Sequence, residues 1–445
     1  GLYRSHRVSG TGISFVGCVT ETAAETEAQT SVIDHRGDSI HRQAVAACLT
    51  ATAALLPFEL DLASLGFRLP VINTSLEIAG FALVIALAVF VSATKGAGIR
   101  GTPLDVPLAV LFAWGAISAR AGVHPVWSLK FIGKAAAGAA MFYGVVWTSR
   151  DVGDALRLWR VLAVAGCIAA GVGIAERFFP DAVQPWLSVF GPERIYIPEL
   201  FGIRVKGTFV HPNVLAQFCG ALLGILAGVR LVSFRETMAW LVGIVVVAQA
   251  LVLTYSRGGL IGALGGVAAA WGVIRPERTS GFRRTLAGVA VIVCALAVLT
   301  AVVDRVYMYH LGRTFDLEYR SNAERLYLWR SAVAVALRAP LTGVGPDGFR
   351  WEYARRYESG APVSTNIVSG GIPSHHANSL YLEQLADLGF IGFGLFLWLA
   401  AAVWRMLRDG TPAAGECEAA IGAGAAAVFG AVAVHGVFDC FTQWQ

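Results

Sequence analysis

The chain has 445 residues, 56% of them hydrophobic and only 15% charged, with a mean hydropathy of +0.61. A soluble protein of this length carries a far more polar surface, so composition excludes an ordinary soluble globular protein and points to the bilayer as solvent. The net charge of +5 is not a nucleic-acid footprint, because the basic residues fall mainly in short connections between apolar runs, where they mark the cytoplasmic side.

Residues 1–42 are polar and mixed in charge, with no cleavable signal pattern, and are expected to form a cytoplasmic tail. A transmembrane helix needs about 20 mostly apolar residues to cross roughly 30 Å of hydrocarbon. Runs of that kind predict spans near 43–58, 75–93, 104–120, 127–148, 158–178, 209–232, 237–255, 258–274, 285–303, 379–404 and 413–435. The expected fold is therefore an all-α polytopic membrane protein of about 11–12 transmembrane helices, with spans one to nine in 43–303 and the last ones in 379–445. Every alternate connection is basic: Arg42, then Lys95 and Arg100, then Arg150, Arg157 and Arg160, then Arg230 and Arg235, then "RPERTSGFRR", and finally Arg405 and Arg408. This places the N-terminus inside and the remaining connections outside. The outer side then holds "FELDLASLGFRLP", "RAGVHP", a medium loop after Phe179, the tight turn "TYSRGG" and a long loop, 304–378. Within the long loop, "NAERLYLWRSAVAVALRAP" has the spacing of an amphipathic helix and "GVGPDGF" reads as a turn.

The outer side should be poor in arginine, yet cations accumulate there. Arg257 sits in "TYSRGG"; Arg204 and Lys206 precede the sixth span; Lys130 and Lys134 lie one turn apart in the fourth; Arg320, Arg325, Arg330 and Arg350 punctuate the long loop. A lone boundary arginine snorkels to the headgroups, whereas a group of them fits an anionic ligand, and the planar guanidinium suits diphosphate oxygens. In "RVKGTFVHPNVLAQF", His211 and Asn213 flank Pro212 at a helix start, either as simple caps or as part of an anion site at a helix N-terminus. In "SHHANSLYLEQLADLGFIG", His375 and His376 lie just outside an apolar run, where a histidine can act as general base or merely end a loop, and Asn378 or Ser379 caps the helix that follows. The seven cysteines are scattered without a CxxC or Cys/His spacing, so they read as packing residues. No cofactor or metal site is expected from these patterns.

The segments "TYSRGG", "ERLYLWRSAVAVALRAPLTGVGPDGF" and "HANSLYLEQLADLGFIG", in that order and with "GTFVHPNVLAQF" upstream, resemble the bacterial O-antigen ligase/polymerase superfamily over about Arg204 to Leu397. Family members often carry a His-x-His-Asn type sequence; here His376-Ala377-Asn378-Ser379 replaces it, which leaves His376 as the catalytic histidine. The resemblance implies a GT-C-like fold in the inner membrane and a metal-independent, inverting glycosyl transfer at the periplasmic face. It implies a donor glycan on undecaprenyl diphosphate, and an acceptor on lipid A–core or on a second lipid-linked glycan, with membrane lipids as surroundings. Arg257 becomes the leading diphosphate ligand, with Arg204, Lys206 and Arg325 behind it. Lys130, His211, Asn213, His375 and Asn378 are further candidates for contacts to diphosphate or acceptor.

Two other chemistries compete on the residues alone. The pair Glu59 and Asp61 in "ELD" has the form of an acidic motif that holds a cation or acts as base, against the reading of a solvated loop. A transporter for an anionic lipid or sugar would instead place charges midway along spans, facing a cavity. Glu77 and Glu176 approach that position but have no evident deep partner in the sequence.

Overall fold

A computed structural model describes residues 40–440, apart from residues 59, 63–64, 67–73, 97–98, 191–203, 230–233, 274–279, 362–367, 370–371, 374 and 411–415. The expected tail up to residue 39 and Glu59 of the acidic pair lie outside the described residues. All eleven expected spans fall on helices: α1 (40–55), α2 (Ser75–Ala93), α3 (Asp105–Ala121), α4 (Pro125–Thr148) and α5 (Val152–Phe178), then, after a short α6 (Pro180–Leu187), α7 (Pro212–Val229), α8 (Phe234–Leu253), α9 (Arg257–Val273) and α10 (Ser280–Val303). The long loop contributes α11 (Arg305–Gly312), α12 (Arg320–Arg338), α13 (Phe349–Arg356) and a two-residue hairpin, β1 (Val368–Ser369) with β2 (Ile372–Pro373). The chain closes with α14 (Leu380–Gly410) and α15 (Glu416–His435). The protein is an all-α, multi-pass membrane protein.

Among the described residues six helices, in α2, α4, α5, α10, α14 and α15, are long and apolar enough to cross a membrane by themselves. The 17-residue helices α3 and α9 reach about 26 Å at 1.5 Å per residue, the short end of what the hydrocarbon needs. Helix α5 begins six residues before the expected span, because the Asp151 side chain accepts the Asp154 N–H at 3.0 Å and caps it. Helix α14 is broken at Gly389, whose φ of 67° no ordinary side chain adopts cheaply. A Cβ at that position would fall 2.4 Å from the Leu341 carbonyl oxygen, so the break also lets the 339–345 segment lie against the helix.

The core is the seam between α7, α9 and α15, packed through small residues. A Cβ on Gly266 would lie 2.6 Å from the Ala427 carbonyl oxygen, and one on Gly430 2.4 Å from the Ala269 Cβ. In a bilayer the drive to pack is backbone proximity and dispersion rather than escape from water, so glycine and alanine dominate such seams. Around it, buried Leu215, Leu222, Leu226, Ile244 and Leu251 join α5, α7 and α8.

One end of the bundle is tied into a continuous cap. Val205 N–H donates to Leu253 O at 3.3 Å, Val123 N–H to Val344 O at 2.9 Å, and Leu380 N–H to Gly436 O at 2.7 Å. These bonds join the C-terminal end of α8 to the approach of α7, that of α15 to the start of α14, and that of α3 to the 339–345 segment.

The "GVGPDGF" turn is the keystone of that cap. Gly343, Gly345 and Asp347 all have positive φ, and Asp387 of α14 accepts the Asp347 and Phe349 N–H groups, each at 2.8 Å. Ser118 of α3 donates to Thr342 O at 2.6 Å and Trp114 donates to Leu388 O at 3.0 Å. Asp387→Asn keeps one acceptor oxygen and loses the other, stranding a buried N–H at a cost of about 1–3 kcal/mol. A lower midpoint of thermal unfolding in detergent is the expected result, and an unchanged midpoint would show that the turn does not depend on the carboxylate.

Candidate active site

Arg257 is the first residue of α9 and is held from three directions. Tyr255 takes a left-handed conformation, φ 54°, which folds α8 back onto α9 within three residues. Its hydroxyl donates to Asp304 Oδ2 at 2.5 Å, and Arg177 of α5 meets the same oxygen at 3.2 Å. Ser256 caps α9, its Oγ accepting the Gly259 N–H at 3.2 Å. The guanidinium itself donates through Nη2 to Asn322 Oδ1 at 2.8 Å. Asn322 is locked in turn, its amide donating to Asp316 O at 2.7 Å and Arg313 O at 3.0 Å. Arg257 Nη1 is buried and makes no hydrogen bond among the described residues. A buried cationic donor without a partner is costly, and its retention at this turn fits an anion as the missing acceptor.

The approach to α7 supplies the opposite wall. Arg204 donates to Thr254 O and to Asn213 Oδ1, each at 2.9 Å, and so bridges the start of α7 to the Arg257 turn. Glu176 accepts the Lys206 N–H at 2.9 Å and the Gly207 N–H at 2.7 Å. Gly207 has φ 55°, and a Cβ there would lie 3.2 Å from the Ala169 carbonyl oxygen, so both conformation and space require glycine. His211 Nδ1 accepts the Asn213 N–H at 3.1 Å, which is the cap role, with the ring proton left on Nε2. Arg204, Arg325 and Lys206 stand within Coulombic reach of the ring. With Nδ1 accepting, the imidazole is in its neutral form and contributes no charge to an anion site. Asn213 also donates to Asp439, beyond α15. Burial raises the Asp439 pKa, against the stabilising charges of Arg325 and Arg204. Arg325 of α12 thus lies within Coulombic reach of Arg257, His211, His435 and Asp439.

The third element is the strand of chain entering α14. His376 Nδ1 donates to Glu383 Oε1 at 2.8 Å, and Glu383 Oε2 accepts the Ala377 N–H at 2.6 Å, with the Glu383 side chain buried. This fixes the ring and puts its lone pair on Nε2, the arrangement of an oriented base. Leu380 N–H also lies 3.0 Å from Asp439 O, so the dyad adjoins the segment that carries Asp439 and, through it, the arginine cluster.

The other expected residues are spread more widely. His375 sits 3.9 Å from Glu324 and 4.0 Å from Glu358, against the Tyr353 ring. Asn378 has φ 48° and accepts Trp329 Nε1 on its carbonyl at 3.2 Å; the helix begins after Ser379, whose carbonyl accepts the Glu383 N–H. Lys130 and Lys134 share one carboxylate, Glu77 Oε1, at 3.5 and 3.0 Å. Glu77 and Glu176, which have no evident partner in the sequence, are therefore both buried and both engaged, because helix packing delivers α4 to the first and the α7 approach to the second. Asp61 forms an isolated bridge with Thr74, and its N–H donates to Val189 O at 3.0 Å.

The arrangement thus gathers Arg204, Lys206, Arg257 and Arg325 at the mouth of the bundle, with His376 and Glu383 on the neighbouring segment. Asn322, Glu383, Asp387, His435 and Asp439 are the residues that sequence reasoning leaves without a role. Only Glu383, one turn into a helix after two histidines, carried a local signal.

Residues 242–397 match the family model described as O-antigen ligase. No curated protein matches the chain. The matched stretch contains Arg257, Asn322, Arg325, His376, Glu383 and Asp387, and lies between the Arg204–Asn213 wall and Asp439. Over these residues the chain is similar to the O-antigen ligase/polymerase superfamily that its motifs resemble.

Proposed function

We propose that the protein is an inverting, metal-independent glycosyltransferase of the bacterial inner membrane, with the cap end of the bundle facing the periplasm. The observation that carries this reading is the cluster of Arg257, Arg325, Arg204 and Lys206 beside an oriented His376–Glu383 dyad. Arg257 and Arg325 hold the diphosphate of an undecaprenyl-linked glycan, their charges stabilising the leaving group as its bond to the anomeric carbon breaks. His376 Nε2 takes the proton of the acceptor hydroxyl as its oxygen attacks the opposite face of that carbon. The products are the inverted glycoside and undecaprenyl diphosphate, with the proton on the imidazole. The acceptor is the sugar of lipid A–core, because the arginines of α12 and α13, among them Arg330, Arg355 and Arg356 on exposed faces, suit an anionic lipopolysaccharide core.

The test is transfer by the purified protein in detergent, from a lipid-diphosphate-linked glycan to lipid A–core or to a second lipid-linked repeat, with and without chelator. Product on the core, indifferent to chelator, is the expected result. Longer lipid-linked chains alone would make the protein a polymerase of the same superfamily. Movement of intact donor across liposomes with no glycosidic bond formed would make it a transporter and overturn the reading.

A further inference from the structure

A second polar nest lies where α4 begins, beneath the "GVGPDGF" turn and α13. Five buried side-chain atoms there make no hydrogen bond among the described residues: His124 Nδ1, Ser128 Oγ, Asp347 Oδ1, Arg350 Nε and Trp351 Nε1. They belong to one cluster. The His124 ring stacks on Trp351 at 4.4 Å; the Arg350 guanidinium lies 5.2 Å from the centre of the Trp127 ring and 5.9 Å from that of Trp351. Arg350 Nη2 pairs with Asp347 Oδ2 at 2.5 Å, and Ser128 Oγ faces the Gly345 backbone, 2.8 Å from where a Cβ would stand. Ser128, Asp347 and Arg350 form a floor that is more than nine-tenths buried. Native proteins leave few buried polar groups unpaired, and the same turn satisfies both oxygens of Asp387, so this concentration calls for an external partner.

The chemistry of the set selects that partner. Arg350 and Trp351 offer donors, Asp347 an acceptor, and Ser128 and His124 either. A phosphate needs donors only and would be repelled by Asp347, whose own charge already neutralises Arg350. A hydroxyl gives and accepts, and several hydroxyls on one ring match a mixed set of this kind. The indoles of Trp127 and Trp351 add apolar surface for the C–H face of such a ring. The nest also adjoins the candidate base, because Asp347 lies within Coulombic reach of His376 and Glu383.

We propose that this nest binds a neutral pyranose, and that the pyranose is the acceptor sugar of the transfer reaction; the second part rests on the function proposed above. The full-length protein in detergent is titrated with the methyl glycosides of glucose, galactose, mannose and N-acetylglucosamine, followed by saturation-transfer NMR, with inorganic phosphate as competitor. At least one glycoside saturates, phosphate does not displace it, and Ser128→Ala and Trp351→Phe each weaken it about tenfold, the loss of one hydrogen bond. Ser128→Ala keeps or raises the unfolding midpoint, since the hydroxyl it removes is unsatisfied in the fold. A lowered midpoint would mean that a buried water satisfies the hydroxyl, and would overturn the site. No saturable glycoside, displacement by phosphate, or equal affinity in both variants would overturn it too. The two readings fail separately. Glycoside binding without any glycosyl transfer leaves the sugar site standing and sinks the enzyme, whereas transfer with an unchanged acceptor KM in both variants sinks the site alone.

Discussion

Arg257→Ala is expected to lower glycosyl transfer by about 10²- to 10³-fold, the usual effect of removing one preorganised donor from a developing anion. The loss should appear in kcat and in kcat/KM for the lipid-linked donor, because the guanidinium meets charge that grows as the diphosphate departs. The fold should survive: the Tyr255 turn is anchored by Asp304 and the α9 cap by Ser256, neither of which uses Arg257. Arg257→Lys keeps the charge but loses the planar fork that reaches Asn322 and ligand together, and should recover only part of the activity. Equal activity of the lysine variant and wild type would show that a point charge suffices, and full activity of the alanine variant would remove Arg257 from the site.

His376→Ala is expected to reduce transfer by about 10²- to 10⁴-fold, the range for a lost general base. Glu383→Gln is the more informative companion. The glutamine amide cannot accept from both the His376 ring and the Ala377 N–H, as the carboxylate does, so the ring loses its fixed tautomer and a fall of about 10²-fold is expected with the histidine still present. The readout is kcat/KM beside the midpoint of thermal unfolding in detergent. Transfer should fall with the midpoint kept, whereas a midpoint that falls together with the activity would reduce Glu383 to a structural cap.

Local sequence carried the architecture. A run of apolar residues either does or does not cover the hydrocarbon thickness, and the bilayer imposes that condition on each segment separately. The apolar helices of a multi-pass protein, the turn at Thr254–Ser256 and the helix in the long loop were therefore all readable one window at a time. The convergence of cations was also partly legible, since Arg204, Lys206, Arg257 and Arg325 fall in connections that the pattern of basic residues assigns to the side where arginine is disfavoured.

What holds each of those cations was decided only by the tertiary structure. Asn322 reaches Arg257 across 65 residues of chain and Asp387 reaches the Asp347 turn across 40. Glu77 claims Lys130 and Lys134 from a neighbouring helix, while Asp439 comes back through Asn213 to the mouth of the bundle. His211, eligible in sequence to bind an anion or to cap a helix, became a neutral cap because its Nδ1 accepts the Asn213 N–H. Hydrophobic length is a property of a segment, so the sequence displays it. The pairing of buried charges is a property of which helix ends meet, and only the packed bundle, through its glycine seams and the turn gripped by Asp387, determines that.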